Sequence, residues 1–438
     1  MRGLSRLAEI VFVILTLFLS TSALIPLLLE DRTTGAIEDT YTPLLFAGVY
    51  LVTLLLILAQ RRGFMYVMKK DIWIWLTIAI ATASVLWTIA PEITIRRAIL
   101  LIGTTLFGVY LSLRYTLREQ LELLSWALGI VVLSSIVFAI ALPTYGLMTF
   151  QDFGSHEGSW RGVLTHKNLL GRIAVLSSIV FLCVALAQPI LSRGYKWFPW
   201  IGYVLSIALI ILSTSKTAAI VFVVMTAVMP LYRTWRNHYT QLVPVSIFAL
   251  LVVGSAAILL FDNLDFVASL VGRELTLTGR TDIWNAMLDL IWERPWFGYG
   301  LNAVWRDWDN EATAYLWRTL GWECTYGHNG FMDLWIELGL FGVFCFLVSY
   351  ITIYLRAVKW LQITKTIEGL WPLMYLTFLL IYNISESTLL ATNSIFWILY
   401  VSTTFSVVVE YQETLLYRSL SPLTLNEFRQ VETLDDIE

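Results

Sequence analysis

Four polar segments stand out of an otherwise apolar chain of 438 residues, and each holds side chains able to bind an anion or move a proton. Leu275-Thr-Leu-Thr-Gly-Arg-Thr-Asp-Ile-Trp284 opens a helical pattern reaching about Arg294, with Thr281 as its expected N-cap, Asp282 suited to the positive end of the dipole and Pro295 as its stop. Arg280 is therefore expected at a helix N-terminus, where backbone N–H groups and a guanidinium converge on one anion; the plainer alternative is an exposed loop arginine. Glu323-Cys-Thr-Tyr-Gly-His-Asn-Gly-Phe-Met-Asp333 places His328 just before the expected cap Asn329, with Gly327 and Gly330 permitting close backbone approach. A histidine there either shuttles a proton near neutral pH or serves only as a polar residue at a helix start.

Trp160-Arg-Gly-Val-Leu-Thr-His-Lys-Asn-Leu-Leu-Gly-Arg172 brings Arg161, His166, Lys167 and Asn168 to the mouth of an apolar run, a polar density that calls for a polar environment or a charged ligand. Ser213-Thr-Ser-Lys-Thr217 holds Lys216 in a short turn between two apolar runs, where it either meets a ligand or snorkels to the interface.

The elements that must position these groups are membrane helices. Hydrophobic residues make up 58% of the chain and charged residues 14%, with a mean hydropathy of +0.72, which excludes an ordinary water-soluble domain. At about 20 apolar residues per crossing, spans are predicted near 7–29, 43–60, 72–90, 98–113, 120–142, 168–188, 198–213, 217–231, 242–262, 330–355, 370–385 and 391–410. The pattern describes one all-α polytopic domain, 1–411, with about twelve transmembrane helices, a large loop at 263–329 containing helices, and an acidic tail at 412–438 that reads as solvated and mobile. The first run passes beyond the small residues Ser20–Ala23 and reads as a retained helix rather than a signal peptide.

Lys and Arg are denser on the side of the N-terminus, at Arg2, Arg6, Arg61, Arg62, Lys69, Lys70, Arg356 and Lys359 among others, which puts both termini in the cytoplasm. Trp197 with Trp200, and Trp371 with Tyr375, suggest interfacial belts. The cations left on short outer connections, Arg161, Lys167, Arg172 and Lys216, are the better functional candidates, and a lipid phosphate or pyrophosphate is the anion available at that depth. A net charge of −3 with no basic stripe gives no support for nucleic acid, and three cysteines without paired spacing, with no Cys-x-x-Cys or His-x-x-x-His, suggest neither a disulfide framework nor a metal site.

In Arg161-Gly-Val-Leu-Thr-His-Lys-Asn168, Ser213-Thr-Ser-Lys-Thr217, Gly279-Arg-Thr-Asp-Ile-Trp284 and His328-Asn329, in that order along about twelve spans, the chain resembles the O-antigen ligase and polysaccharide polymerase superfamily of bacterial membrane proteins. The resemblance covers most of the chain. It implies a GT-C-like fold and an inverting, metal-independent glycosyltransferase without cofactor, active at the periplasmic face of the inner membrane. Its implied partners are an undecaprenyl-pyrophosphate-linked glycan donor, a glycan acceptor, membrane lipids, and chain-length regulator or export proteins. It further implies that Arg280 holds the donor pyrophosphate and that His328 activates or orients the acceptor hydroxyl, with Lys216, Arg161, His166, Lys167 and Asn168 binding substrate. Lys216 stands where the ligases usually carry arginine, and the Ser-Lys-Thr and Thr-His-Lys-Asn segments resemble the exopolysaccharide polymerase branch, as in succinoglycan-type polymerases.

The expected reaction is therefore polymerisation of exopolysaccharide or O-antigen repeat units, with O-antigen ligation to lipid A core or another acceptor as the alternative. Glu323 and Glu337 are secondary candidates for the base, the long loop is expected to act as a lid, and its aromatics Trp296, Tyr299, Trp305, Trp308, Tyr315, Trp317 and Trp322 suit either sugar stacking or interface packing. A lipid-linked oligosaccharide flippase or sugar transporter is the rival of another class, disfavoured because polar groups gather on one face. A noncatalytic assembly scaffold would leave Arg280 and His328 dispensable.

Overall fold

Apolar runs in a bilayer must satisfy their backbone internally, and here they do so as helices. The computed structural model describes residues 2–24, 41–149, 157–187, 196–235, 280–364 and 366–435. Within them, in chain order, run α1 (Arg2–Leu19), α2 (Tyr41–Ala59), α3 (Arg61–Met68), α4 (Ile72–Ala83), α5 (Pro91–Arg114), α6 (Leu117–Ala141), α7 (Lys167–Leu186), α8 (Phe198–Leu212), α9 (Lys216–Trp235), α10 (Arg280–Glu293), α11 (Glu311–Leu320), α12 (Gly330–Ile363), α13 (Trp371–Tyr382) and α14 (Ile395–Asp435). Among the described residues, extended backbone pairs only at the isolated bridge between Leu147 and Trp160.

Seven of these helices, α2, α5, α6, α7, α9, α12 and α14, are long and apolar enough to cross a membrane, and three shorter apolar ones accompany them. The run predicted at 242–262 lies outside the described residues, as do residues 25–29 of the first one. Within the tail predicted at 412–438, α14 continues as helix to Asp435.

Capping residues set the helix starts, each contributing about 1 kcal/mol. Asp71 accepts the Trp73 and Ile74 amides at 3.0 and 3.1 Å to start α4, and Thr116 and Glu119 form a capping box on α6. His166 opens α7 by accepting the Asn168 amide on Nδ1 at 3.1 Å, and Asn329 opens α12 by accepting the amides of Phe331 and Met332. Helices α7 and α14 are 78% buried along their spans, whereas α2 is 17% buried, so the first two form the middle of the bundle and α2 lies at its rim. Hydroxyls inside the bundle bond back to carbonyls of the preceding turn, as Thr104 does to Leu100 and Ser177 to Ile173, whereas those of Tyr115, Tyr382 and Thr403 are buried without a partner. Trp371 and Tyr375 are 2% and 0% exposed and belong to this interior rather than to an interfacial belt, because α13 is packed against α9, α12 and α14; Trp197 and Trp200 are exposed as expected.

Helix α12 is broken at Gly339, whose φ of 67° and ψ of −173° no helix contains. The break frees backbone groups that the loop segment Pro295–Gly300 pairs. The amides of Tyr299 and Gly300 donate to the carbonyls of Ile336 and Glu337 at 2.9 and 2.8 Å, while the amides of Leu340 and Phe341 donate to Pro295 and Trp296. Irregular backbone at this depth is tolerated where protein satisfies it. A Cβ on residue 339 would sit 2.2 Å from the Trp296 carbonyl carbon. Gly339→Ala therefore combines a left-handed φ with a backbone clash and is expected to destabilise the fold by about 2–5 kcal/mol, seen as a lowered Tm in detergent.

Candidate functional site

The described part of the long loop, 280–329, is a small folded unit. Ile283, Met287, Leu290, Ile291, Trp305, Leu316, Trp317 and Cys324 form a hydrophobic core separate from that of the bundle. Asn310 caps α11 and Gly321, at φ 76°, ends it in the left-handed conformation. The loop aromatics divide accordingly: Tyr299, Trp305 and Trp317 are buried in this unit, whereas Trp296, Trp308, Tyr315 and Trp322 are exposed. Only the exposed set has faces free for a sugar ring.

Helix α10 starts at Arg280, so Thr281 lies within the first turn rather than capping it; the capping position falls outside the described residues. Ile283, Ala286, Met287, Leu290 and Ile291 turn inward while Asp282, Asn285 and Asp289 face out. Trp284, one turn beyond Arg280, donates its indole N–H to the Gly327 carbonyl at 2.9 Å. The same helix thus fixes both the arginine and the segment leading to His328.

That segment is pinned from a second side by Asp333, which accepts the Gly327 amide on both oxygens at 3.0 and 3.1 Å, the Trp305 indole N–H at 3.1 Å and the Ser387 hydroxyl. The Gly330 amide donates to the carbonyls of Asn383 and Glu386 at 2.9 and 3.0 Å, an approach so close that a Cβ at Gly330 would lie 2.1 Å from Asn383 Oδ1. Between these anchors His328 adopts φ 50°, a left-handed conformation uncommon outside glycine. Its ring lies 4.0 Å from that of Tyr326, and its Nδ1 is buried without a hydrogen-bond partner.

Around this ring the charges converge. Arg280 Nη2 lies 3.4 Å from Glu386 Oε1, and the Tyr326 hydroxyl donates to Glu386 Oε2 at 3.2 Å. Arg172, one turn into α7, holds its guanidinium 4.7 Å from the Phe396 ring and its Nε buried without a partner, while its charge acts on both Glu386 and Tyr326. Burial pushes the Glu386 carboxyl up and the cations of Arg172 and Arg280 oppose it. Burial and the neighbouring Arg280 and His166 push His328 down to about 4, so its imidazole is neutral at physiological pH. The result is a neutral base beside cations that outnumber the single carboxylate between them, an arrangement able to take up a polyanion and accept a proton next to it.

The structure brings Arg280, His328 and His166 together. Arg161 and Lys167 are buried, the first in the segment leading to α7 and the second at its first residue. Arg161 Nε donates to the Tyr145 carbonyl at 2.9 Å, and Lys167 Nζ to the Thr214 hydroxyl at 3.3 Å, which ties the Ser213–Thr217 turn to α7. Asn168 is half-buried in the first turn of α7, and Lys216 is exposed at the first position of α9. Glu323 accepts the Trp308 indole N–H at 2.7 Å on the exposed side of the loop, and Glu337 faces Asn302 by the α12 break, so neither belongs to the cluster around His328. Tyr326 and Glu386 are the members that sequence reasoning did not assign to the site, and Arg172, a functional candidate among the cations of the short connections, was given no role in it. The available signals were the i, i+4 spacing of Arg172 from Asn168 and an acid alone in an apolar stretch. Among the described residues, no three of His, Cys, Asp and Glu gather as a metal would require.

Residues 201–347, which carry Lys216, Arg280 and His328, match the family described as O-Antigen ligase. The chain is 26% identical over 314 residues to the exopolysaccharide production protein ExoQ of Rhizobium meliloti (strain 1021), an alignment covering 69% of each. It is also 26% identical over 311 residues to the general O-oligosaccharyltransferase of Acinetobacter baylyi (strain ATCC 33305 / BD413 / ADP1), covering 63% of this chain and 52% of that protein, so about half of the second relative's length is spanned. With its helical fold and helices long and apolar enough to cross a membrane, the chain is similar to the O-antigen ligase and polysaccharide polymerase superfamily.

Proposed function

We propose that the protein transfers an undecaprenyl-pyrophosphate-linked oligosaccharide, with inversion, to an acceptor sugar hydroxyl at the periplasmic face of the inner membrane, polymerising the repeat units of an exopolysaccharide or O-antigen. The observation that carries this reading is the convergence of Arg280 and His166 on the neutral His328, whose buried Nδ1 has no hydrogen-bond partner, and of Arg172 and Arg280 on the neighbouring Glu386. Arg280 and Arg172 hold the pyrophosphate, aided from the flank by Lys216, Arg161, Lys167 and Asn168. The acceptor oxygen attacks the anomeric carbon, its proton passes to His328, and the bond from that carbon to the pyrophosphate oxygen breaks.

Guanidinium groups already in place stabilise the departing charge without a divalent ion. The same cations that keep His328 a weak base are neutralised when the pyrophosphate binds, so donor binding strengthens the base it needs. Full activity is expected in excess chelator; loss with rescue by a divalent ion would overturn the metal-independent step.

Ligation to a separate acceptor is the second reading, supported by the equal identity to the O-oligosaccharyltransferase. Product length in a deletion strain separates the two. Loss of chain extension with single repeats still attached is the polymerase outcome, and full-length lipid-linked polymer accumulating unattached is the ligase outcome.

A further inference from the structure

The far end of α12 holds a second concentration of charge that glycan transfer does not use. Gly330 opens the helix at the site, and beyond the break at Gly339 it runs on to Lys359 near its other end, roughly 30 Å at 1.5 Å per residue, about the hydrocarbon thickness of a bilayer. There a cleft of about 460 Å³ is lined by Lys69, Lys70, Arg356 and Lys359 together with Val407, Val408, Tyr411 and Gln412. Arg356 Nη1 is 2.8 Å from the buried Asp71, and Lys70 Nζ donates to Gln412 Oε1 at 2.6 Å while lying 3.8 Å over the Tyr66 ring, so two of the four cations are held in place. Lys69 and Lys359 are exposed. The acids of α14 nearest in sequence belong to another face, since Glu410 accepts the Leu117 amide of α6 and interacts with Glu413, Glu119 and Glu368. Asp71 thus offsets one cation and the cleft keeps a surplus of positive charge.

Cations that only fix orientation need no common cavity, but these four line one cleft whose wall includes the valines of a membrane-spanning helix. An anionic group with an apolar attachment satisfies both parts of the lining. We propose that this cleft binds the phosphodiester headgroup of an anionic phospholipid, with Lys69, Lys70 and Lys359 on the phosphate and the acyl chains leaving along Val407 and Val408. Basic pockets between spans at a membrane surface suit such headgroups.

The test follows thermal unfolding of the full-length chain in neutral detergent during titration with phosphatidylglycerol, phosphatidylcholine of the same acyl chains, or inorganic phosphate. Phosphatidylglycerol alone is expected to raise Tm. The Lys69→Gln/Lys359→Gln double variant is expected to keep its lipid-free Tm and to bind phosphatidylglycerol roughly ten- to thirty-fold more weakly. Equal protection by phosphatidylcholine, protection by inorganic phosphate alone, or unchanged phosphatidylglycerol binding in the double variant would each overturn the assignment.

Discussion

Arg280→Ala is expected to lower glycan transfer by roughly 100- to 1,000-fold, the usual cost of losing one preorganised donor to a developing anion. Arg280→Lys keeps the charge but loses the planar fork, so it should fall between the two. The alanine variant also removes a partner of Glu386, a carboxyl only 3% exposed, and breaking a buried pair by removing one side costs about 3–5 kcal/mol. Stability and chemistry are separable here. In an Arg280→Ala/Glu386→Gln double variant no buried carboxylate remains to be compensated, so Tm should recover while transfer stays low. Recovery of transfer along with Tm would mean that Arg280 acts only by supporting the fold. The two quantities are read from a melt of the purified variants and from product formed with a lipid-linked donor.

The second large effect is at His328. Replacement by Ala is expected to cost roughly 100- to 10,000-fold in rate, the range for loss of a general base. Its pH signature is specific. An ordinary histidine titrates near 6.5, whereas burial with Arg280 and His166 nearby holds His328 at about 4. The kcat/KM of the free enzyme should therefore stay level through neutrality and decline only as pH approaches about 4. A limb near 6.5 would assign the essential base to another group. Stability carries the matching signature: the unfolded chain takes up the proton first, so this group's contribution is full above about 6.5 and is lost as pH falls toward 4. Tm of His328→Ala should lack that part of the decline.

How far the sequence alone reached follows from what each signal encodes. Apolar runs mark spans because the bilayer demands them, and the helices described at α2, α4 to α9 and α12 to α14 lie where those runs fall. The break in α12 left no such mark: Gly339 stands in an apolar stretch without proline, and only the docking of Pro295–Gly300 across it explains why the helix opens there. That docking also alters the expectation for the long loop, whose residues 280–329 form a folded unit fixed to the bundle rather than a free cover.

At the site, Arg280 and His328 were legible because each adjoins a helix start, marked by Asp282 in the first turn and Pro295 as the stop in one case and by the cap Asn329 in the other. Arg172 stood among the candidate cations without a role and Glu386 was not assigned, because neither position, one at the start of a span and the other between two, reveals what it faces until α7, α10 and the 383–390 turn come together. Trp371 and Tyr375 show the same limit, since an aromatic at the end of a short apolar helix is an interfacial residue or a core residue according to what packs over it.

The most direct measurement reconstitutes the purified chain in liposomes with an undecaprenyl-pyrophosphate-linked repeat unit and excess chelator, then determines the length and anomeric configuration of the products. The expected result is lipid-linked glycan extended by whole repeats, with the configuration at each new linkage inverted relative to the donor and no extension by the Arg280→Ala/Glu386→Gln or His328→Ala variants. Movement of the donor across the bilayer without a new glycosidic bond, or extension that survives both variants, would contradict it.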